Sequence, residues 1–129
     1  MYIEHVAVWV RDLEAMRAFY TEHFGATAGE AYHNARTGLR TYFLRFEGGA
    51  RLELMQRPDV LPRADGLPRE GWAHLAFALK DRAAVDARTR LLCRCGCALE
   101  SGPRLTGDGY YESCVLDPEG NRIELTAEG

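Results

Sequence analysis

A short motif that occurs twice constrains the rest of the chain. His5-Val6-Ala7-Val8-Trp9-Val10 runs into Arg11-Asp12, and 69 residues later His74-Leu75-Ala76-Phe77-Ala78-Leu79 runs into Lys80-Asp81. Each copy opens on a histidine, passes through an apolar run with β-branched or aromatic residues, and closes on an aspartate. That is the pattern of a strand leading into a helix cap. Side chains alternate along a strand, so His5, Ala7 and Trp9 share one face and Val6, Val8 and Val10 the other. The second copy sets His74, Ala76 and Ala78 against Leu75, Phe77 and Leu79. The larger apolar face suits a covering helix, whereas each histidine stands beside small residues on an inner face.

A second pair of segments repeats at nearly the same interval. Ala50-Arg51-Leu52-Glu53-Leu54 matches Asn121-Arg122-Ile123-Glu124-Leu125, with Gly49 and Gly120 at the turn before each. Alternation places Arg51, Glu53 and Met55 on one face and Leu52 and Leu54 on the other; Arg122 and Glu124 oppose Ile123 and Leu125 in the same way. A carboxylate between two apolar neighbours is half-buried, and a buried charge requires a partner.

Between these landmarks the two halves follow one plan. Asp12 is the N-cap of a helix over about residues 13–24, with Leu13, Met16, Phe19, Tyr20 and Phe24 at helical spacing and Gly25 at its end. Residues 26–30 read as a short strand, and the polar stretch 31–38 has no clear periodicity. Thr41 to Phe46 is a strand, turned by Glu47-Gly48-Gly49 into the Glu53 strand. Asp81 caps a second helix reaching about Arg94, with Ala84, Val85, Arg88, Leu91 and Leu92 as its inward stripe. Cys97-Ala98-Leu99-Glu100 is a short strand that Ser101-Gly102-Pro103 ends. Tyr110 to Leu116 is a further strand, joined through the Asp117-Pro118-Glu119-Gly120-Asn121 turn to the Glu124 strand. Residues 57–71 hold three of the five prolines and read as a linker. The organisation is one domain over residues 1–129, with modules at about 1–56 and 72–127 joined by linker 57–71. The fold class is α+β: two βαβββ modules in a curled eight-stranded mixed sheet, a half-barrel around one site.

Composition excludes several function classes. A net charge of −3 argues against a nucleic-acid footprint. No apolar run is long enough to span a membrane, and the first strand begins almost at the first residue, so a cytoplasmic location is expected. Cys93, Cys95 and Cys97 form C-x-C-x-C, which lacks the two-residue spacing of a zinc knuckle or redox pair. Reduced, structurally incidental thiols are the favoured reading, with a soft-metal or redox cluster as the sharper alternative.

Taken singly, a strand histidine is ordinarily a hydrogen-bonded core residue and a strand glutamate an edge residue. Here two histidines and two glutamates recur in phase with the repeat. His5, Glu53, His74 and Glu124 are therefore candidate ligands of one divalent metal. Their mixed nitrogen and oxygen donors suit Zn, Ni, Co, Mn or Fe(II). Such an ion polarises a carbonyl, and Glu53 or Glu124 is then the candidate proton-transfer base. Trp9, Tyr42, Phe43, Met55, Tyr110 and Tyr111 are candidate walls of a small-molecule pocket.

These motifs resemble the vicinal oxygen chelate superfamily, which includes glyoxalase I, bleomycin-resistance proteins, fosfomycin-modifying enzymes, methylmalonyl-CoA epimerase and extradiol dioxygenases. The resemblance spans nearly the whole chain and is carried by His5-Val-Ala-Val with Asp12, Met16 to Gly25, Leu52-Glu53-Leu54, His74-Leu-Ala-Phe and Asp117-Pro-Glu-Gly-Asn-Arg-Ile-Glu124. It implies paired βαβββ modules curling around a site, and a homodimer. Glyoxalase I-like members use a His, Glu, His, Glu metal set, which carries over to His5, Glu53, His74 and Glu124. Glutamine stands at the Glu53 position in epimerase-like members, and the dioxygenases use two histidines and one carboxylate. The expected activity is thus a glyoxalase I-like lyase or isomerase moving a proton next to a carbonyl, as in lactoylglutathione lyase chemistry. Trp9 stands where glutathione-using relatives often carry arginine, which argues against a glutathione hemithioacetal as substrate. The alternatives are a non-catalytic small-molecule binding or resistance protein and an Fe(II)-dependent dioxygenase.

Overall fold

The computed structural model describes residues 1–64 and 68–129; Asp65, Gly66 and Leu67, in the middle of the expected linker, lie outside the described residues. The chain divides into two compact units, Met1–Asp65 and Gly66–Gly129. The first contains β1 (His5–Trp9), α1 (Leu13–Phe24), β2 (Thr27–Ala28), β3 (Tyr32–Asn34), β4 (Leu39–Arg45) and β5 (Arg51–Gln56). The second contains β6 (Leu75–Ala78), α2 (Arg82–Arg94), β7 (Leu99–Leu105), β8 (Tyr110–Leu116) and β9 (Arg122–Glu128). The fold is α+β, with two mixed sheets that do not close into barrels.

In the first unit β1 lies parallel to β5, with His5 opposite Arg51, Ala7 opposite Glu53 and Trp9 opposite Met55. β4 runs antiparallel to β5, and the sheet order is β1-β5-β4-β2 with β3 also on β4. The helix is cut where the sequence implies. The Asp12 side chain accepts from the Ala15 N–H at 3.0 Å, and Gly25 ends the helix at a φ of 65°, where a Cβ is disfavoured. Leu13, Met16, Phe19 and Tyr20 are buried on α1, and Leu44, Leu52 and Leu54 on the sheet. Burying a leucine side chain contributes roughly 1.5–3 kcal/mol, so this layer decides which face of the sheet turns inward.

The second unit repeats the scheme in the order β6-β9-β8-β7, with β6 parallel to β9 and Ala76 opposite Glu124. Asp81 caps α2, accepting from the Ala84 N–H at 2.8 Å. The buried residues of α2 are Val85, Thr89 and Leu92, one stripe at i, i+4 and i+7. Leu91, expected inward, is 37% exposed, because six residues past Val85 the helix has turned away from the sheet. Thr89 takes its place. Its hydroxyl donates to the Val85 carbonyl at 2.7 Å and lies 2.6 Å from Ser113 Oγ, so both buried hydroxyls are satisfied.

The strands depart from expectation in three places. Among the described residues there are nine strands rather than eight, paired as a five-stranded and a four-stranded sheet rather than one continuous sheet. The additional strand, β3, arises from the polar stretch without periodicity. Asn34 Oδ1 accepts from the Arg36 N–H at 3.0 Å, and Gly38, at a φ of 74°, returns the chain onto β4. The second departure is the expected strand at 26–30, which is only Thr27–Ala28. The third is β7, which begins at Leu99 and continues through Ser101-Gly102-Pro103 to Leu105 with irregular register. It is the edge strand of its sheet, where a proline without an N–H is tolerated.

The turn between β8 and β9 is held by one buried carboxylate. Asp117, 4% exposed, accepts from the Glu119 and Asn121 N–H groups at 2.9 Å each and from Asn121 Nδ2 at 2.8 Å. Truncation to alanine removes all three bonds and strands their donors. Asp117→Ala is expected to lower unfolding stability by about 1–3 kcal/mol, with Asp117→Asn losing less. Chemical denaturation midpoints check this, and an unchanged Asp117→Ala midpoint would remove the turn from the list of structural determinants.

Candidate functional site

Register, not chance rotamers, brings each histidine to its glutamate. Glu53 lies opposite Ala7 in the parallel pair, so His5, two residues earlier, shares its face. His5 Nε2 lies 3.6 Å from Glu53 Oε2. In the second unit Glu124 lies opposite Ala76, and His74 Nε2 lies 3.1 Å from Glu124 Oε2. Both histidine side chains are about two-fifths exposed (41% and 40%), whereas Glu53 and Glu124 are 14% and 20% exposed. Each pair therefore has a shielded carboxylate and an accessible imidazole.

The surroundings of the two pairs differ. In the first unit the His5 Nδ1 contacts the Glu4 carboxylate, which also binds the Arg51 guanidinium. The hydrogen bond with His5, followed by those from Arg51, holds Glu4 below the usual carboxylate range. A carboxylate on Nδ1 favours the tautomer with its proton there, leaving the Nε2 lone pair on the Glu53 side. Phe43, opposite Glu53, presents its ring edge-on to His5 at 5.3 Å between centroids, and the Arg51 guanidinium covers that ring at 4.2 Å. Glu4 was not apparent from the sequence, because an adjacent strand residue is expected to point to the opposite face. Its position just before β1 frees it from that alternation.

In the second unit Glu124 lies opposite Cys114. Burial raises the Glu124 pKa above the usual carboxylate value; Glu112 and Asp108 add to this, and His74 and Arg104 oppose it. Burial, together with a hydrogen bond to Glu100, pushes the Cys114 thiol up to about 12. Arg122 is drawn to Glu100, with Nε at 2.9 and 2.7 Å from its two oxygens.

The donor chemistry fits a divalent cation. Imidazole nitrogen and carboxylate oxygen bind such ions at roughly 2.0–2.2 Å, so donors 3.1 and 3.6 Å apart are within reach of a shared ion. Each unit supplies two donors; among the described residues no group of three or more His, Cys, Asp or Glu side chains assembles as a metal cage.

The expected pocket walls separate by strand parity. Phe43, Met55 and Trp9 stand on the His5–Glu53 face, with Trp9 44% exposed and Arg57 stacked over it at 5.2 Å. Tyr110 shares the face of Glu124 and is 48% exposed. Tyr42 and Tyr111 do not belong to these walls. They lie on the helix-covered faces, where the Tyr42 hydroxyl donates to Glu14 Oε1 of α1 and the Tyr111 hydroxyl to Asp86 Oδ1 of α2, each at 2.8 Å. Adjacent residues on a strand cannot share a face, so only one of each pair, Tyr42 or Phe43 and Tyr110 or Tyr111, was available.

The model of the glyoxalase/bleomycin resistance protein/dioxygenase superfamily matches residues 2–125. The chain belongs to that superfamily. An uncharacterised protein of Pseudomonas aeruginosa is 34% identical over 96% of this chain and 86% of its own length. A lactoylglutathione lyase of Agrobacterium tumefaciens is similar in structure, with a TM-score of 0.69 and 27% identity over 97% of this chain and 92% of that one. A trypanothione-dependent glyoxalase I of Leishmania major shares the fold, with a TM-score of 0.79 and 22% identity over 99% and 87% of the two chains. Among the described residues of this superfamily member, no helix is long and apolar enough to cross a membrane.

Two outcomes follow from this placement. Tyr42→Phe and Tyr111→Phe are expected to cost some stability, through their lost helix contacts, while leaving divalent-ion affinity unchanged in titration calorimetry; a loss of affinity would return these tyrosines to the site. Glu124 has a folded pKa above its unfolded value near 4.5. Its contribution is fully present below that value and is lost as pH rises through the folded pKa. In the presence of chelator, Glu124→Gln should therefore gain stability relative to the native chain between pH 4 and pH 7. Equal gaps at the two pH values would show that the carboxylate is not penalised by burial.

Proposed function

We propose that this superfamily member is a metal-dependent lyase or isomerase of the glyoxalase I kind. In this reading His5, Glu53, His74 and Glu124 together hold a divalent ion, with Zn, Ni, Co, Mn or Fe(II) as the candidates. The observation that carries the reading is the matched pair: the same imidazole and the same shielded carboxylate at equivalent repeat positions in each unit. A lone histidine–glutamate contact is an ordinary ion pair; its duplication in phase needs a common cause. The likeness to a lactoylglutathione lyase at 27% identity supports the same class.

A bound divalent ion supplies Lewis acidity to a substrate carbonyl oxygen and neutralises the two carboxylates. The chain's own residues supply the rest. Glu4 holds the His5 ring through Nδ1, fixing the orientation of Nε2. Glu53 and Glu124, shielded from water, are the groups that take and return the proton next to the carbonyl, and a positioned base of this kind contributes about 10²–10⁴-fold. Phe43 and Trp9 present apolar surface beside His5 and Glu53. Trp9 at this position disfavours the glutathione hemithioacetal, so a different small carbonyl adduct is the proposed substrate. The proposal includes a soluble cytoplasmic homodimer forming a single domain from both modules.

The experiment begins with chelator-stripped protein titrated with divalent ions. Binding of about one ion per chain is expected, and Glu53→Gln or Glu124→Gln should weaken it by 10–100-fold or more. Turnover of methylglyoxal with a panel of small thiols should then depend on the ion and fall about 10²–10⁴-fold in Glu53→Gln. Tight ligand binding with no turnover would overturn the lyase in favour of a sequestering protein, and oxygen consumption would overturn it in favour of a dioxygenase.

A further inference from the structure

The C-x-C-x-C cluster lies outside the candidate site, at the end of α2. Cys93 is in the last turn of the helix, Cys95 caps it, and Gly96, at a φ of 97°, reverses the chain toward Cys97. The Gly96 N–H donates to the Cys93 carbonyl and the Cys97 N–H to the Leu92 carbonyl, each at 3.0 Å, so the three thiols are gathered at one helix end. All are free thiols.

A groove of about 520 Å³ lies between α2 and β7, with the buried Thr89 among its lining. Arg90, Cys93 and Arg94 line it from the helix, and Leu99 and Pro103 from the strand. Of the three clustered cysteines, only Cys93 lines it, and this residue is half-buried. Arg90 and Arg94 stand one helical turn apart and are exposed; neither is ion-paired among the described residues. The groove also holds Asp86, whose carboxylate accepts the Tyr111 hydroxyl. The result is a partly apolar trough with two cationic forks and one thiol, of a size that accommodates a small molecule.

We propose that Cys93 is a thiol–disulfide exchange site for small disulfides that carry carboxylates, which Arg90 and Arg94 seat in the groove. Guanidinium groups pair with carboxylates in bidentate fashion, which favours the anionic members of this class. In the exchange the Cys93 thiol first gives its proton to solvent. The thiolate attacks one sulfur of the disulfide, a bond from Sγ to that sulfur forms, the original S–S bond breaks, and the other half leaves as a thiolate with the electron pair. No further oxidant is needed. The other thiols are handicapped as attackers: burial and the hydrogen bond to Glu100 push Cys114 up to about 12, and burial, with Cys93 and Cys95 adding, raises Cys97. Cys95 is exposed but does not line the groove, so it lies outside the trough in which Arg90 and Arg94 would seat an anionic partner.

The test uses full-length chains that retain one cysteine of the cluster, the other two being changed to serine. Each is reacted with oxidised glutathione, which carries carboxylates, and with cystamine, which is cationic, and the labelled residue is read by peptide mass spectrometry. The ratio of the two rates is compared with that of the same chain unfolded in guanidinium. The Cys93 chain should prefer the anionic disulfide by about tenfold over its unfolded ratio, and the Cys95 chain should show no such preference. Arg90→Gln with Arg94→Gln should abolish the bias while leaving the rate with neutral bis(2-hydroxyethyl) disulfide unchanged, which also reports that the groove is intact. A Cys93 ratio equal to that of the unfolded chain, or the same bias at Cys95, would overturn the proposal.

Discussion

The parallel pairing of the first and last strand of each unit is the constraint on which the candidate site depends. In β1 and β5 the register sets Val6 against Leu52 and Val8 against Leu54, and these residues form the face toward α1. Because side chains alternate with a period of two, burying that face obliges His5, Ala7 and Glu53 to occupy the other. The same holds for Leu75 against Ile123 and Phe77 against Leu125, which leave Ala76 and Glu124 on the opposite face with His74. A one-residue slip would place a carboxylate under a helix and a leucine in solvent, and the leucine layer alone makes that slip costly. The chemistry-bearing pairs are thus aimed by the core rather than by contacts of their own. Each glutamate lies on its own face between two cross-strand neighbours, Ala7 and Phe43 for Glu53 and Ala76 and Cys114 for Glu124, and is 14% and 20% exposed there.

Much of this was legible before any coordinates. The alternation in His5–Val10 and His74–Leu79 specified the strands and their faces, the aspartates specified the caps, and the repeat specified which residues correspond. The parts that were not legible share a physical character. β3 has no periodic pattern and exists because Asn34 and Gly38 build a turn that lays Tyr32, His33 and Asn34 on β4. β7 crosses Pro103, which as a local signal reads as a strand break; only its place at the sheet edge, a tertiary fact, makes the continuation acceptable. On α2 the choice between Leu91 and Thr89 turns on helix phase and on whether Ser113 is present to pair a buried hydroxyl, and hydrophobicity alone selects the wrong residue. The tyrosines illustrate the same point. Counting both members of Tyr110-Tyr111 as pocket walls ignored parity, and parity could be assigned only once the register tied Cys114 to Glu124.

The repeat also has limits as a guide to chemistry, because equivalent residues are bound differently in the two units. Arg51 and Arg122 correspond, yet Arg51 engages Glu4 beside His5, whereas Arg122 engages Glu100 on the edge strand. The reason lies at the strand entrance. The residue before His5 is Glu4, and the residue before His74 is Ala73, which offers no carboxylate. Phe43 and Cys114 also correspond, each opposite the glutamate of its unit, so the first pair is walled by an aromatic ring and the second by a small thiol. The two pairs therefore differ in their surroundings. His5 is held on its far nitrogen and packed against a ring, which makes it the oriented member. The Glu124 pKa is raised by burial and by its acidic neighbours Glu112 and Asp108, against the opposing charges of His74 and Arg104. The two pairs are alike in their own residues and differ through their neighbours at positions 4, 43, 73 and 114.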